Sequence, residues 1–437
     1  MLEETLKAYS LLDTIDIQIA QLGVRYRTVP ESGLTALIST CERIPASRYF
    51  REASVKARFK TALVTFTLIL FSMCVSMRAS GQVSSTQVDA IFSSLRSSKA
   101  PGAAVLVVRD GRPVFRRGFG VTDQRTFGPI DANTNFRLAS FTKQFTAAAI
   151  MLLARDGKLR YDDHLTDVFP EFPAYGKSIS IRNLLNHTSG LPDYEDILMK
   201  QYPGTPEEKV PQILDAGVLK LLEQQTSAKF APGSKWEYSN SGYAVLAMIV
   251  EKVSGRSFGQ FLQERIFIPL KMKNTLAYEK GKNEVPHRAY GHSKNDGGWR
   301  ETDQSPTSAV LGDGGIYSSL GDLAKWDRAL RNHTLLSEAE MQPALTPVQP
   351  TDGPAKGPDA RAVSYGFGWF LDPYRGHKRM WHDGETIGFR TTIQRFPDDK
   401  MTIIVLANRT DINPEELALK VADLYLGTSR SGLSPPR

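Results

Sequence analysis

The 437-residue chain is 41% hydrophobic and 23% charged, a balance that excludes disorder as its main state and leaves room for one large or two ordinary domains. Its net charge of +7 is shared between the first 81 residues and the remainder, too mild a surplus to point to a nucleic-acid partner. Both cysteines, Cys41 and Cys74, stand in the N-terminal stretch, which excludes disulfides, thiolate metal sites and cysteine catalysis from everything after it.

Residues 1–54 show no sustained pattern and stay unassigned. From Thr61 to Met77 runs the most apolar segment, TALVTFTLILFSMCVSM, preceded by Lys56, Arg58 and Lys60 and followed by Arg78-Ala79-Ser80-Gly81-Gln82. A basic region, an apolar core and small residues are the parts of a secretory signal, which ordinarily opens a chain. Translation from a non-AUG codon at Val55 would give it that position, leaving residues 1–54 as an upstream extension set by a misplaced start. An apolar run of 17 residues is also at the lower limit of a membrane span. Residues 55–81 therefore read as a cleaved signal peptide or a membrane anchor. The first implies a periplasmic or secreted protein, the second one attached to the inner membrane through residues 61–77.

After this stretch, Ala103 to Thr122 carries two apolar runs around Asp110-Gly111, a strong hairpin signal that starts a sheet. From Ser140 to Asp156 the pattern SFTKQFTAAAIMLLARD is apolar almost all round and ends before Gly157. It predicts a buried helix with a serine in its first turn, where backbone N–H groups lack partners. Residues 158–235 read as helical pieces broken by Pro170, Pro173, Pro192, Pro203, Pro211 and Pro232, and Asn240 to Gly255 as a further helix. Gly388 to Asn408 repeats the hairpin pattern around Pro397-Asp398-Asp399, and Pro414 to Leu426 predicts a closing amphipathic helix. The implied fold is α+β: an antiparallel sheet with strands from both ends of residues 82–427, flanked by helices, with a mostly helical second lobe. The tail 428–437, rich in Ser, Pro and Arg, is expected to be disordered.

Ser140-Phe141-Thr142-Lys143 places a hydroxyl and an amine at i and i+3 on one helix face. A serine hydroxyl is a poor nucleophile until something takes its proton, and a nearby, partly desolvated lysine can accept it or lower the energy of the alkoxide. An isolated S-x-x-K arises by chance about once in a few hundred positions. Here it is the only one, followed by the only Y-x-N, Tyr238-Ser239-Asn240, and then the only H-x-G, His382-Asp383-Gly384. A tyrosine beside an ammonium suits a general base and later a general acid. Asn240 can hold Lys143 and bind an amide group of a substrate; it can equally cap a helix. His382 can donate to a substrate or orient the tyrosine hydroxyl.

These motifs, in this order, resemble the S-x-x-K, Y-x-N and K-T-G or H-x-G elements of the class C β-lactamase, D-Ala-D-Ala carboxypeptidase and β-lactamase-like esterase family. Phe136-Arg137-Leu138-Ala139, His187-Thr188-Ser189-Gly190-Leu191, Gly312-Asp313-Gly314-Gly315 and Tyr365-Gly366-Phe367-Gly368-Trp369 are similar to that family's phrasing, so the resemblance covers about residues 85–426. It implies an exported serine hydrolase in which Ser140 forms an acyl-enzyme with Lys143 and Tyr238 as partners. Asn240, His382 and Gly384 would bind and orient the substrate. An oxyanion hole would form from the backbone N–H groups of Ser140 and Glu385.

Neither a cofactor nor a metal is implied, since no H-E-x-x-H or similar ligand cluster is present, and the substrate would be a small molecule or peptide. Where efficient β-lactamases present Lys-Thr-Gly to the antibiotic's carboxylate, His382-Asp383-Gly384-Glu385 offers one imidazole and two acids. That departure favours esters or D-amino-acid peptides, with weak or no β-lactamase activity. The competing reading is an acylated ligand sensor without turnover.

Overall fold

A computed structural model describes residues 83–357 and 360–426. The 61–77 segment, the two readings of residues 55–81, the upstream extension and the 428–437 tail all lie outside the described residues. Among those described, no helix is long and apolar enough to cross a membrane.

Helix α1 (Ser85–Ile91) is opened by a capping box in which Ser84 and Gln87 satisfy each other's backbone N–H groups. Strands β1 (Ala103–Arg109) and β2 (Arg112–Phe119) follow, joined at Asp110 and Gly111 with φ of 48° and 78°. That pair of positive values is what a two-residue hairpin turn requires, and the Asp-Gly sequence supplies it.

The short strand β3 (Phe136–Arg137) leads into α2 (Lys143–Arg155). The helical lobe contains α3 (Tyr194–Lys200), α4 (Asp215–Glu223) and α5 (Asn240–Ser254), the last closed by Gly255 in the left-handed region at φ 68°. Next come β4 (Leu276–Ala277), β5 (His292–Asn295), β6 (Gly298–Glu301), α6 (Leu311–Gly314), β7 (Ile316–Ser318) and α7 (Leu320–Arg331). The chain returns through β8 (Met380–Thr386), β9 (Phe389–Phe396) and β10 (Met401–Ala407) to α8 (Pro414–Leu426).

The main sheet has the order β2-β1-β10-β9-β8, antiparallel throughout. Its two central strands are apolar at nearly every position because both faces are covered. Val105, Val107, Ile403 and Val405 point to α1 and α8, whereas Ala104, Leu106, Ile404 and Leu406 point to the larger core that contains α2 and α5. Two smaller sheets, β3-β7-β4 and β5-β6, carry no alternating pattern in sequence long enough to announce them.

The N-terminus of the serine helix differs from the sequence expectation. The α-helix starts at Lys143, and Ser140 stands on a 3₁₀ turn, Ala139–Thr142, that feeds it. A 3₁₀ turn eclipses side chains at i and i+3, which brings Ser140 and Lys143 into closer line than an α-turn would. Ala139, just before the serine, has φ of 50°, a strained value for a residue with a Cβ.

Candidate active site

Lys143 is fully buried, and its ammonium nitrogen lies 3.1 Å from Ser140 Oγ, 2.9 Å from Asn240 Oδ1 and 3.0 Å from the Asp313 carbonyl oxygen. Three oxygens thus surround one nitrogen. Each comes from a different element: the 3₁₀ turn, the first residue of α5 and α6. The rings of Tyr238 and Tyr243 lie over the same nitrogen at 4.9 and 5.4 Å to their centroids. The Tyr238 hydroxyl has no hydrogen-bond partner among the described residues; only its ring face meets Lys143.

Tyr238 is positioned by His187. The His187 Nδ1 accepts the Ser239 N–H at 3.1 Å, and its ring lies against that of Tyr238 with centroids 4.4 Å apart. Burial and the neighbouring Lys143 hold His187 well below the usual imidazole range, so it is neutral, as an acceptor at Nδ1 must be.

His382 is buried on β8 and pushed down to about 3, chiefly by burial and secondly by Lys143. Its Nε2 lies 3.2 Å from the hydroxyl of Tyr365, not of Tyr238, and its Nδ1 is 2.6 Å from the Asp383 carbonyl oxygen. The same strand brings Gly384 against the Leu138 carbonyl, which also accepts from Thr391 Oγ1 at 2.7 Å.

A cavity of about 320 Å³ opens above the serine. Of the residues singled out from sequence, Ser140, Asn240 and Glu385 line it, while Tyr238, Gly384 and the buried Lys143 and His382 do not. Ser140, second in its 3₁₀ turn, has a backbone N–H without an acceptor inside that turn, and Glu385 borders the same space.

The two acids of the third motif do not act together. Successive side chains of a strand alternate, so Asp383 turns to the α8 face of the sheet, where Thr392 donates to it and burial pushes its carboxyl up to about 7. Glu385 is exposed and paired with Arg390 at 2.6 Å. Of the two acids that the motif offers, Asp383 does not line the cavity, and the Glu385 carboxylate is held by Arg390 at its rim.

Three groups that the sequence reading passed over belong to the same wall. Glu195, from α3, accepts the Asn240 side-chain N–H at 3.2 Å, and burial with the nearby Asp313 and Asp193 lifts its carboxyl to about 7. Asp313 accepts the Tyr194 hydroxyl at 2.9 Å, and burial raises it. Arg137 donates through Nε to the Gly314 carbonyl at 3.1 Å, leaving buried Nη1 without a partner. Asp313 and Arg137 sit inside the quoted family phrases, so a signal existed for them. Glu195, in a polar helix start, had none.

A sheet flanked by helices, with a lysine-linked serine at the lobe boundary, is the architecture of a penicillin-recognising type of serine hydrolase. The family described as Beta-lactamase matches residues 88–427, and the chain belongs to it. Penicillin-binding protein 4* of Bacillus subtilis is 32% identical over 78% of this chain and 75% of its own length. A D-aminopeptidase of Brucella anthropi is 29% identical over 77% of this chain; the match spans 61% of that relative. Among solved structures, the octameric penicillin-binding protein homologue from Pyrococcus abyssi superposes with a TM-score of 0.69 at 26% identity, covering 79% of this chain and 78% of that one. The protein is thus a β-lactamase-related serine hydrolase.

Proposed function

We propose that the protein hydrolyses esters or D-aminoacyl amides through an acyl-enzyme on Ser140, and β-lactams poorly. The observation that carries this reading is the three-way contact of Lys143. Asn240 Oδ1 and the Asp313 carbonyl accept two of its N–H groups, so the third valence is aimed at Ser140 Oγ. As an amine it takes the serine proton there; as an ammonium it donates to the alkoxide. Tyr238, with its ring over Lys143 and its hydroxyl unengaged, is assigned the proton transfer to the leaving group. The N–H groups of Ser140 and Glu385 would receive the oxyanion, each worth about 3 kcal/mol of barrier. Water on the same path completes turnover.

Substrate choice rests on the cavity wall. Glu195, Glu207 and Asp313 border it, Glu385 stands at its rim paired with Arg390, and Arg137 is the cation that shares it with them. Such a wall tolerates a neutral acyl group and favours one carrying an ammonium, while it opposes a carboxylate beside the scissile bond. The D-aminopeptidase relative supports the aminoacyl alternative and its hand. A panel of p-nitrophenyl esters, D- and L-alanine p-nitroanilides and nitrocefin tests the reading. Sustained turnover of the ester or the D-anilide above nitrocefin is expected. One equivalent of product followed by silence would identify an acylated sensor, and nitrocefin as the best substrate would overturn the choice.

A further inference from the structure

A second cavity, of about 480 Å³, lies between α7, the chain at 338–347 and the β8–β10 end of the sheet; it shares no lining residue with the first. Its volume falls in the roughly 300–1,000 Å³ range of small-molecule sites. Nothing in the proposed hydrolysis uses it.

Its floor is apolar. Met380 is buried there, and Leu330, Leu345 and Leu371 stand beside it. Its wall is cationic, with Arg331, Lys378, Arg379, Arg395 and Lys400 arriving from four separate parts of the chain. Arg379 is neutralised by Asp372 and Glu415. Arg395, itself buried, gives Nε to Asp327 at 2.9 Å but Nη1 only to the Met380 sulfur at 3.1 Å, a weak acceptor.

Arg331, Lys378 and Lys400 have no ion-pair partner among the described residues. The Arg331 guanidinium rests on the β1–β2 turn, where Gly111 leaves room for it: a Cβ there would stand 2.1 Å from Nη1. Of the two acids on the wall, Asp327 is also committed to Thr402 at 2.7 Å, and Glu338 faces solvent. Half-buried Arg331 and the exposed Lys378 and Lys400 on the rim, none of them in an ion pair among the described residues, stand over an apolar floor and together suit a ligand with both properties.

We propose that this cavity binds an amphiphilic anion, a carboxylate or phosphate headgroup on a hydrocarbon chain. The headgroup meets Arg331, Lys378 and Lys400, and the chain covers the floor between Leu330, Leu345 and Leu371. Neither part suffices alone: a bare anion gains only screened surface charge, and a neutral chain leaves the cations unmet.

Titration calorimetry on the whole protein tests this with dodecyl phosphate and laurate, each below its micelle concentration, against inorganic phosphate and dodecyl maltoside at matched concentration. Dodecyl phosphate, laurate or both should bind, the tighter naming the headgroup, and the two single-property probes should bind at least tenfold more weakly. The triple variant R331A/K378A/K400A, and separately L371D, should each weaken the amphiphile at least tenfold while ester hydrolysis at Ser140 stays unchanged. Equal binding of inorganic phosphate would reduce the site to a plain anion patch, and equal binding of the maltoside to a plain apolar one. Either result overturns the proposal, as does amphiphile binding that survives both variants or is absent from the wild type.

Discussion

The carbonyl oxygen of Leu138 stands 2.0 Å from the point that a Cβ on Gly384 would occupy, so the edge strand β8 closes on the serine-bearing turn only with glycine at that position. The same oxygen is fixed by Thr391, and the Leu138 N–H by the Ile316 carbonyl at 2.8 Å, so it has nowhere to retreat. Gly384→Ala should push β8 away from Ser140. The expected result is a drop in kcat/KM of at least a hundredfold and a stability loss of about 1–3 kcal/mol, the usual range for overpacking, read by urea unfolding. A fully active variant would show that the strand is free to move.

Ser140→Ala removes a single hydroxyl from a half-buried position. It should abolish turnover and labelling by a fluorophosphonate while leaving the unfolding midpoint nearly unchanged. Residual turnover above about a thousandth of wild type would move the nucleophile elsewhere, because loss of a nucleophile ordinarily costs far more.

Lys143→Met acts differently. It leaves the serine in place but takes the donor from Asn240 Oδ1 and the Asp313 carbonyl. Acylation at neutral pH should be lost, and stability should fall by about 1–3 kcal/mol because buried acceptors go unmet. Normal acylation rates in this variant would remove Lys143 from the proton path.

The pH dependence follows from three carboxyls. Burial lifts Glu195, Asp215 and Asp383 to about 7. A carboxyl raised above its unfolded value of about 4 holds its proton more tightly when folded, so its contribution to stability is complete below that value and is lost as pH rises toward 7. Unfolding free energy measured from pH 4 to pH 7 should therefore decline, and Asp383→Asn should flatten part of the slope. For Glu195 the same ionisation charges the cavity. The kcat/KM ratio of an aminoacyl ester to its N-acetylated form should climb through pH 7 in wild type and stay level in Glu195→Gln; a ratio that climbs in both would exclude Glu195 as the group responsible.

Converting the third motif toward a carboxylate site should succeed at one position and fail at another. Glu385 is largely exposed, and Glu385→Gln should raise nitrocefin turnover relative to a neutral ester by a few-fold, less at high salt. His382→Lys instead would bury a second cation near Lys143 in place of an imidazole that is neutral at every working pH. It is expected to lower stability without adding nitrocefin turnover, as measured by unfolding and initial rates on the same preparation.

What the sequence determined by itself were the features that depend on near neighbours. The Asp110-Gly111 turn, the apolar pattern of α2, the glycine that closes α5 and the span Pro414–Leu426 all follow from local backbone preference and periodicity. The pairing of Ser140 with Lys143 belongs here as well, since three residues on one turn set it. Only the tertiary structure decided which distant groups complete the site. Asn240 and the Asp313 carbonyl are 97 and 170 residues from Lys143, and no local rule brings them to it. The partner of His382 became Tyr365 because β8 presents that ring to a buried aromatic cluster, and Asp383 left the cleft because strand alternation sends it to the opposite face. The acidity of Glu195 is likewise a property of burial, which arises from the packing of α3 against α5 and α6 and is written in no single segment of the chain.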